Sequence, residues 1–206
     1  GNIDGIIHDQ SASGATLFDA VNLANKAAGI VVAKVGTVPI ERAELEAAVT
    51  GGGNPKIVDC DELLRHIATL RAEGKKIVFT NGCFDILHRG NVHLLDEAKR
   101  RGDALIVALN SDVSVSRQKG RGRPINTEHD RAHLIGAIDA VDFVTVFDTP
   151  TPLDLIKKIR PDVLVKGGNF KKDQVLGREY AGEVAIIPLL EGYSTEEIAG
   201  RMAEGR

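Results

Sequence analysis

Cysteine is scarce in this sequence: its 206 residues include only Cys60 and Cys83. Two cysteines cannot build a disulfide framework, and they do not form a zinc site by themselves. We therefore interpret Cys83 as a small buried residue rather than a reactive thiol. The sequence also lacks an apolar run long enough to cross a membrane, and its N-terminus lacks the basic and then apolar pattern of a signal peptide. We expect a cytoplasmic protein with no membrane partner.

An excess of charge of either sign is also missing. The formal net charge is -3, which argues against a protein that coats nucleic acid. Hydrophobic residues make up 43% of the chain and charged residues 27%, as in ordinary globular proteins with a core. The length allows one full domain and an appendage.

The most informative stretch is residues 76–95, KIVFTNGCFDILHRGNVHLL. Its apolar, β-branched start predicts a buried parallel strand, and a helical pattern begins at Val92. Between them lies a polar glycine turn that carries His88 and Arg89. Such a strand, turn and helix start form an anion site, because free backbone N–H groups and the helix dipole point the same way. We interpret this stretch as a nucleotide phosphate site.

The remainder of the chain alternates predicted strands with predicted helices. Further strands are expected at residues 104–109, 143–147, 163–165 and 183–188, and helices at 61–73, from Val92, from Thr127, at 152–159 and from Ser194. This alternation predicts a Rossmann-like open α/β sheet, mostly parallel, with helices on both faces. The helix from Val92 is expected to turn Val92, Leu95 and Ala98 towards the core. Ligands of such sheets lie beyond the C-terminal ends of the strands, where the candidate polar clusters fall.

Four motifs follow one another in a recognisable order. They are Phe84-Asp85 with His88-x-Gly90, Asn110-Ser111-Asp112, Lys166-Gly167-Gly168, and Gly192-Tyr193-Ser194-Thr195. Over roughly residues 75–200 this order resembles the cytidylyltransferase-like nucleotidyltransferases, most closely the C-terminal domains of bifunctional heptose kinase/ADP-heptose synthases. The resemblance implies transfer of AMP from ATP to heptose 1-phosphate with Mg²⁺, releasing pyrophosphate. The segments GCFDILH, ALNSD, RPIN and VKGGNF favour ATP, and a cytidylyltransferase acting on a polyol phosphate is the alternative.

Residues 1–53 lie outside that pattern and are expected to be helical, ending in a glycine-rich linker. The segment AVNLANKAAGIVVAKVGT resembles the last part of a ribokinase-like sugar kinase. The matching turn, Ser13-Gly14-Ala15, lacks that family's catalytic aspartate, and ~50 residues are too few for a fold built from βαβ units of ~30 residues. We predict a kinase remnant at 1–53, acting as a helical cap or dimer contact, a nucleotidyltransferase domain at 54–206, and a homodimer.

The resemblance also implies roles for individual residues. His88 would contact the α- and β-phosphates, Lys99 and Arg131 would supply positive charge, and Ser194 with Thr195 would hold the triphosphate at a helix start. Lys99 fits a solvated helix face nearly as well, and His88 could instead be a capping or core histidine. Nucleotide binding is implied for Asn81, Gly82, Cys83, Phe84, Asp85, Gly90, Asn110, Asp112, Lys166, Gly167, Gly168 and Asn169.

Two of these assignments are more specific. Residues 166–169 would border the base and the sugar, with glycines that let the backbone approach closely. Asp85 would either orient its turn or help to hold magnesium. No metal ligand is assigned.

One position departs from the family pattern His-x-Gly-His, because this chain reads His88-Arg89-Gly90-Asn91. Asparagine donates a hydrogen bond but carries no imidazolium charge, and losing one preorganised contact typically costs ~10²–10³ in rate. His93 is no substitute, since residues two apart on a helix do not share a face. Asn91, a good helix-capping residue, stays a catalytic candidate. The second hypothesis is a catalytically silent nucleotide-binding domain.

A basic segment at 117–123 contains Arg117, Lys119, Arg121 and Arg123. It is interpreted either as a solvated, mobile loop or as a lid that brings cations to the sugar phosphate, and we favour the lid. It is short and has no interleaved aromatic residues, so no nucleic-acid partner is expected.

Overall fold

The computed structural model describes residues 54–190, 192, 193 and 200. In chain order its elements are α1 (Cys60–Ala72), β1 (Ile77–Gly82), α2 (Arg89–Lys99), β2 (Ala104–Asn110), α3 (Asp112–Lys119), α4 (Glu128–Gly136), β3 (Phe143–Phe147), α5 (Leu153–Ile159), β4 (Val163–Gly167), two short 3₁₀ turns (Lys172–Gln174 and Arg178–Tyr180) and β5 (Glu183–Ile187). The expected helices in residues 1–53 and the helix start at Ser194 lie outside the described residues. The domain boundary at residue 54 stays a prediction.

The five strands form one parallel sheet in the order β3-β2-β1-β4-β5. Strand β1 is central, with Val78 paired to Leu105 of β2 on one side and to Val163 of β4 on the other. The chain builds outward from β1 through β2 and β3 and then crosses to β4, so the topological switch point lies between β1 and β4. All C-terminal strand ends lie at one edge, where ligands of such sheets bind. The predicted Rossmann-like sheet is confirmed.

Helices cover both faces of the sheet. On one face Leu95 of α2 packs in the same cluster as Val78, and on the other Ile156 of α5 packs with Phe79. All four side chains are fully buried, and each such burial is worth about 1.5–3 kcal/mol. Because neighbouring residues of β1 and β2 enter opposite cores, these strands read as continuous apolar runs. No helix in the described part of the chain has the length and apolar character needed to cross a bilayer.

Helix α2 buries a face different from the expected one. Its buried apolar side chains are Leu94, Leu95 and Ala98, whereas Val92 is 36% exposed. At 100° per residue, Val92 lies about 110° around the helix from the middle of the buried face. The expected inward position of Val92 was therefore wrong, because a spacing of three residues drifts away from a helical stripe.

Part of the basic segment at 117–123 is helical rather than a loop. Helix α3 runs to Lys119, and Ser111 caps it with a hydroxyl that accepts the Ser114 N–H at 3.1 Å. Val115 is its one buried apolar residue among the described side chains, so the sequence carries no apolar period there. Only residues 120–123 of the proposed lid form a loop before the next segment.

Candidate active site

The turn after β1 places the first group of site residues at the C-terminal edge of the sheet. Phe84 adopts a left-handed backbone conformation with φ 47°, which is rare for a residue with a side chain. A Cβ added to Gly82 would lie 3.0 Å from the Phe84 ring, so a side chain at this position would push that ring aside. Strain of this kind costs roughly 1–3 kcal/mol and persists where the surroundings hold the backbone in place. The turn delivers Asp85 inward and leads to His88.

His88 is the N-cap of α2, at the place where the sequence predicts an anion site. The side-chain Oδ1 of Asn91 accepts the His88 backbone N–H at 3.1 Å, and the Asn91 N–H donates to the His88 carbonyl at 2.9 Å. Asn91 thus occupies the third helical position and folds back on the cap, as a glutamate or glutamine does in a capping box. Its side-chain oxygen orders the start of the helix that carries His88.

Gly90 allows the chain near the C-terminus to approach the start of α2. A Cβ at Gly90 would lie 2.8 Å from the Tyr193 carbonyl oxygen and 3.0 Å from Nδ1 of His88. The Arg89 guanidinium lies 5.7 Å from the centre of the Tyr193 ring, a cation–π distance. Ser194 and Thr195, the expected triphosphate residues, follow directly in sequence but lie outside the described residues.

Asp85 is a buried carboxylate that fastens the segment after α3. Its Oδ1 accepts backbone N–H groups of Ile125 at 2.7 Å and Asn126 at 3.2 Å, and its Oδ2 accepts from Arg123 at 2.6 Å. Burial alone would raise the pKa of Asp85, but the hydrogen bonds from Arg123, Asn126 and Ile125 and the charge of Arg123 lower it below its usual range. Because both oxygens already meet protein donors, the geometry favours an orienting role over a magnesium ligand.

Arg131 is fully buried beneath the same turn. Its guanidinium donates to the carbonyl oxygens of Asn126 (3.1 Å), Cys83 (2.6 Å) and Asn110 (2.8 Å) and to the carboxylate of Asp112 (2.7 Å). All three guanidinium nitrogens are therefore engaged with the protein. Arg131 joins the ends of β1 and β2 to α3, and these contacts favour a positioning role. Its expected role as a catalytic charge stays a prediction. We call Asp85, Asp112, Arg123, Asn126 and Arg131 the Asp85–Arg131 network.

Lys99 lies at the opposite edge of the sheet. Its Nζ donates to Asp142 Oδ2 and to the Asp103 carbonyl, both at 2.6 Å, and these acceptors precede β3 and β2. The eleven residues of α2 put about 15 Å between its first and last residues. The helix therefore carries Lys99 away from the strand ends, and its expected phosphate contact stays a prediction.

The end of β4 faces the end of β1 across the switch point. Lys166 is half-buried, and its Nζ donates to Asn81 Oδ1 at 2.6 Å. Burial lowers the pKa of Lys166 below the usual range of lysine. Gly168 has φ 123°, a conformation that disfavours side chains, and the following Asn169 is exposed. The structure thus brings Lys166 to the candidate phosphate region.

The end of β2 is occupied by buried polar groups. The side-chain amide of Asn110 donates to Ser114 Oγ at 3.1 Å, and its Oδ1 accepts from the Cys83 thiol at 3.8 Å. Burial raises the pKa of Cys83, while the charges of Lys119 and Arg131 act in the opposite direction. Cys83 is therefore a half-buried thiol within a polar network, which agrees with a structural role.

The sequence did not indicate the contacts that several residues of this region make. Arg123 and Asn126 hold the turn through Asp85, and Glu128 accepts the Asp112 N–H at 2.7 Å. Ser111 donates to Asp148 Oδ1 at 2.6 Å, which ties the end of β2 to the end of β3. The motif RPIN contains two of these residues, but neither its pattern nor its spacing indicates the buried carboxylate that it meets.

The described side chains of this region do not form a metal-binding cluster. Among the described residues, no group of three or more His, Cys, Asp or Glu side chains is placed to hold a metal ion. The arrangement instead combines a helix start, a histidine and a half-buried lysine, all suited to an anion.

Comparison with known proteins shows the family of this chain. The family model described as cytidylyltransferase-like matches residues 79–198, which is more than half of the chain. The chain belongs to the cytidylyltransferase-like family.

Individual relatives are more specific. The chain is 49% identical over 199 residues to "Bifunctional protein HldE" of Alcanivorax borkumensis, covering 94% of this chain and 42% of that protein. It is 47% identical over 200 residues to the protein of the same name from Methylobacillus flagellatus, covering 93% and 41%. A solved lipopolysaccharide core biosynthesis protein from Thermoplasma volcanium GSS1 aligns with a TM-score of 0.49 and 28% identity, over 59% of this chain and 100% of its own. The chain spans about two fifths of the length of the HldE relatives.

Proposed function

We propose that this domain transfers AMP from ATP to heptose 1-phosphate, giving ADP-heptose and pyrophosphate. Family membership supports nucleotidyl transfer, and the resemblance of GCFDILH and VKGGNF to the ADP-heptose synthases supports the nucleotide and the sugar. One observation carries the proposal: the turn after β1, the start of α2 at His88 and the ammonium of Lys166 all lie around the switch point between β1 and β4.

The chemistry asks for positive charge and positioning. An oxygen of the sugar phosphate forms a bond to the α-phosphorus, and the bond from that phosphorus to the bridging oxygen of the β-phosphate breaks. Pyrophosphate leaves with the electron pair, so negative charge grows on the α-phosphate and on the leaving group. Fixed N–H groups at the start of α2, together with His88 and Lys166, would stabilise this charge without reorganisation.

Mg²⁺ would enter this site together with the nucleotide. When bound to phosphate oxygens, Mg²⁺ neutralises part of their charge and needs only one or two protein carboxylates. Both oxygens of Asp85 accept hydrogen bonds from the protein, so Asp85 is not the carboxylate that would hold Mg²⁺. The residues of this chain would then bind and align the nucleotide.

A second candidate function is nucleotide binding without turnover. It is favoured by Asn91, whose side-chain oxygen accepts the His88 N–H at the position where the family pattern has its second histidine. A domain of this kind would serve assembly or regulation. The predicted homodimer would suit either function.

The test is pyrophosphate release with Mg²⁺ and heptose 1-phosphate, run separately with ATP, CTP and GTP. Release with ATP alone is the expected result and supports adenylyl transfer despite Asn91. Release with CTP alone would replace the proposal by cytidylyl transfer. Silence with all three nucleotides, alongside measurable ATP binding, would contradict the proposal and support the silent domain.

A further inference from the structure

Lys166 is a half-buried cation whose hydrogen-bond partner carries no charge. Three basic side chains pair with carboxylates: Arg123 with Asp85, Arg131 with Asp112, and Lys99 with Asp142. Lys166 donates instead to the neutral amide oxygen of Asn81 at 2.6 Å. Among the described residues no carboxylate forms an ion pair with it.

A half-buried ammonium that lacks a counter-ion is costly to keep. Removing a charge from water is unfavourable unless a partner of opposite charge replaces the lost hydration. Burial accordingly lowers the pKa of Lys166. An anion bound next to Lys166 would offset part of this cost, so the position is suited to bind one.

The neighbouring glycines have structural reasons of their own. A Cβ at Gly167 would come within 3.1 Å of Leu94, so glycine here lets α2 pack against the end of β4. Gly168 has φ 123° and donates its N–H to Ile187 at 2.9 Å, which makes it part of the turn out of β4. Close approach by a base is therefore not needed to explain these glycines, and Lys166 is the group of this motif with a charge to offer.

We propose that Lys166 is the cation that contacts the phosphates of the bound nucleotide, and that Asn81 is a positioning residue that holds its ammonium in place across the switch point. The inference rests on the proposed function only in taking the ligand to be a nucleotide. It replaces the expectation that Lys166 borders the base and the sugar.

Binding measurements with three probes test this contact. Calorimetry with ATP, pyrophosphate and adenosine would compare the unaltered 206-residue chain with Lys166→Met. Loss of a charge-assisted contact should lower the affinity for ATP and for pyrophosphate by roughly 10- to 100-fold. The affinity for adenosine should not change. Lys158→Met is the matched control, because Lys158 is an exposed lysine of α5, away from the strand ends. It should bind all three probes as the unaltered chain does.

The role of Asn81 is tested by a double-mutant cycle. As a single substitution, Asn81→Ala should lower the affinity for ATP by about 3- to 10-fold, because the ammonium of Lys166 is no longer held in place. In the Lys166→Met background the same change should have no further effect on ATP binding. Lys166→Arg should restore part of the affinity. Additive losses from the two single changes would show that Asn81 does not act through Lys166.

Other outcomes overturn the inference. Equal weakening of adenosine and ATP by Lys166→Met would place Lys166 at the base and sugar, and unchanged binding of all probes would remove it from the site. Lys166→Gln gives a second variant if Lys166→Met does not fold. The test also separates this inference from the proposed function. If ATP binds through its phosphates but no pyrophosphate is released, the proposed reaction is contradicted and the Lys166 contact is still supported.

Discussion

The two sides of the β1 turn differ in how completely their polar groups are paired. On the β2 side, the Asp85–Arg131 network joins its carboxylates and guanidinium groups through hydrogen bonds of 2.6–3.2 Å. On the β4 side, Lys166 meets only a neutral amide among the described residues. Because the polar groups of the network are hydrogen-bonded to one another, we interpret the β2 side as structural. The charge of Lys166 has no counter-ion among the described residues, so the β4 side is the candidate for ligand binding. Burial of a charged residue therefore does not by itself indicate catalysis.

The largest expected effect is on stability, from removing the centre of the scaffold. Arg131→Met would leave Asp112 and three backbone carbonyls without their donor, so the free energy of unfolding should fall by about 3–5 kcal/mol. Urea denaturation measures this change. Arg117→Met removes an exposed arginine of α3 and should change stability by less than about 0.5 kcal/mol. Similar small changes in both variants would mean that the network does not support the fold.

For the residues expected to contact the nucleotide, the largest expected effect is on turnover. His88→Ala should lower pyrophosphate release by at least ~10²–10³ while the unfolding transition stays close to that of the unaltered chain, because a preorganised contact to the phosphates is lost. Steady-state pyrophosphate release and urea denaturation measure the two quantities. Unchanged release would show that His88 serves only as the N-cap of α2.

Substitutions of Asn91 test whether this residue stabilises the start of α2 at the expense of turnover. Asn91→His should raise turnover by ~10²-fold by supplying imidazolium charge, and should cost about 1 kcal/mol of stability by removing the bond to the His88 N–H. Asn91→Ala is the matched control, since it loses the same bond without adding charge. If the histidine variant is no faster than the alanine variant, position 91 does not face the reacting phosphates.

The smallest expected effect is the acid sensitivity of Asp85. Its pKa is lowered in the folded state, so its contribution to stability is complete above the ordinary aspartate pKa of ~3.9 and is lost as pH falls through the folded-state pKa. Asp85→Asn should be less stable at neutral pH by roughly 1–3 kcal/mol, with the difference shrinking in acid. Urea denaturation at several pH values measures this. A pH-independent difference would contradict the ionised role.

The sheet was predictable because its signal is local. Residues 143–147 and the N-cap at Thr127 agree with the structure, and the remaining expected strands are right to within a few residues. Apolar runs that alternate with helical patterns leave few arrangements other than a parallel sheet. Helix α3 was missed since its polar surface carries no apolar period.

The site was predictable only in part. His88 and Lys166 lie where strand ends meet, so their position in the chain was enough to predict that both lie at this edge of the sheet. The sequence did not indicate that Lys99 lies one helix length from His88 and pairs with Asp142. Arg131 was assigned a charge role because sequence shows a basic residue but not the acceptors that surround it.

By itself, the sequence determined the order of strands and helices, the edge at which polar motifs gather and the departure at Asn91, because these depend on residue type and spacing along the chain. Tertiary structure alone decided which charges are paired. Asp85 meets a segment 38 to 41 residues away, and Lys166 meets Asn81 across 85 residues. Such partners are chosen by the register of β1 with its neighbours and by the path of the turn. These partners decide which charged side chains stabilise the fold and which are available to bind a ligand.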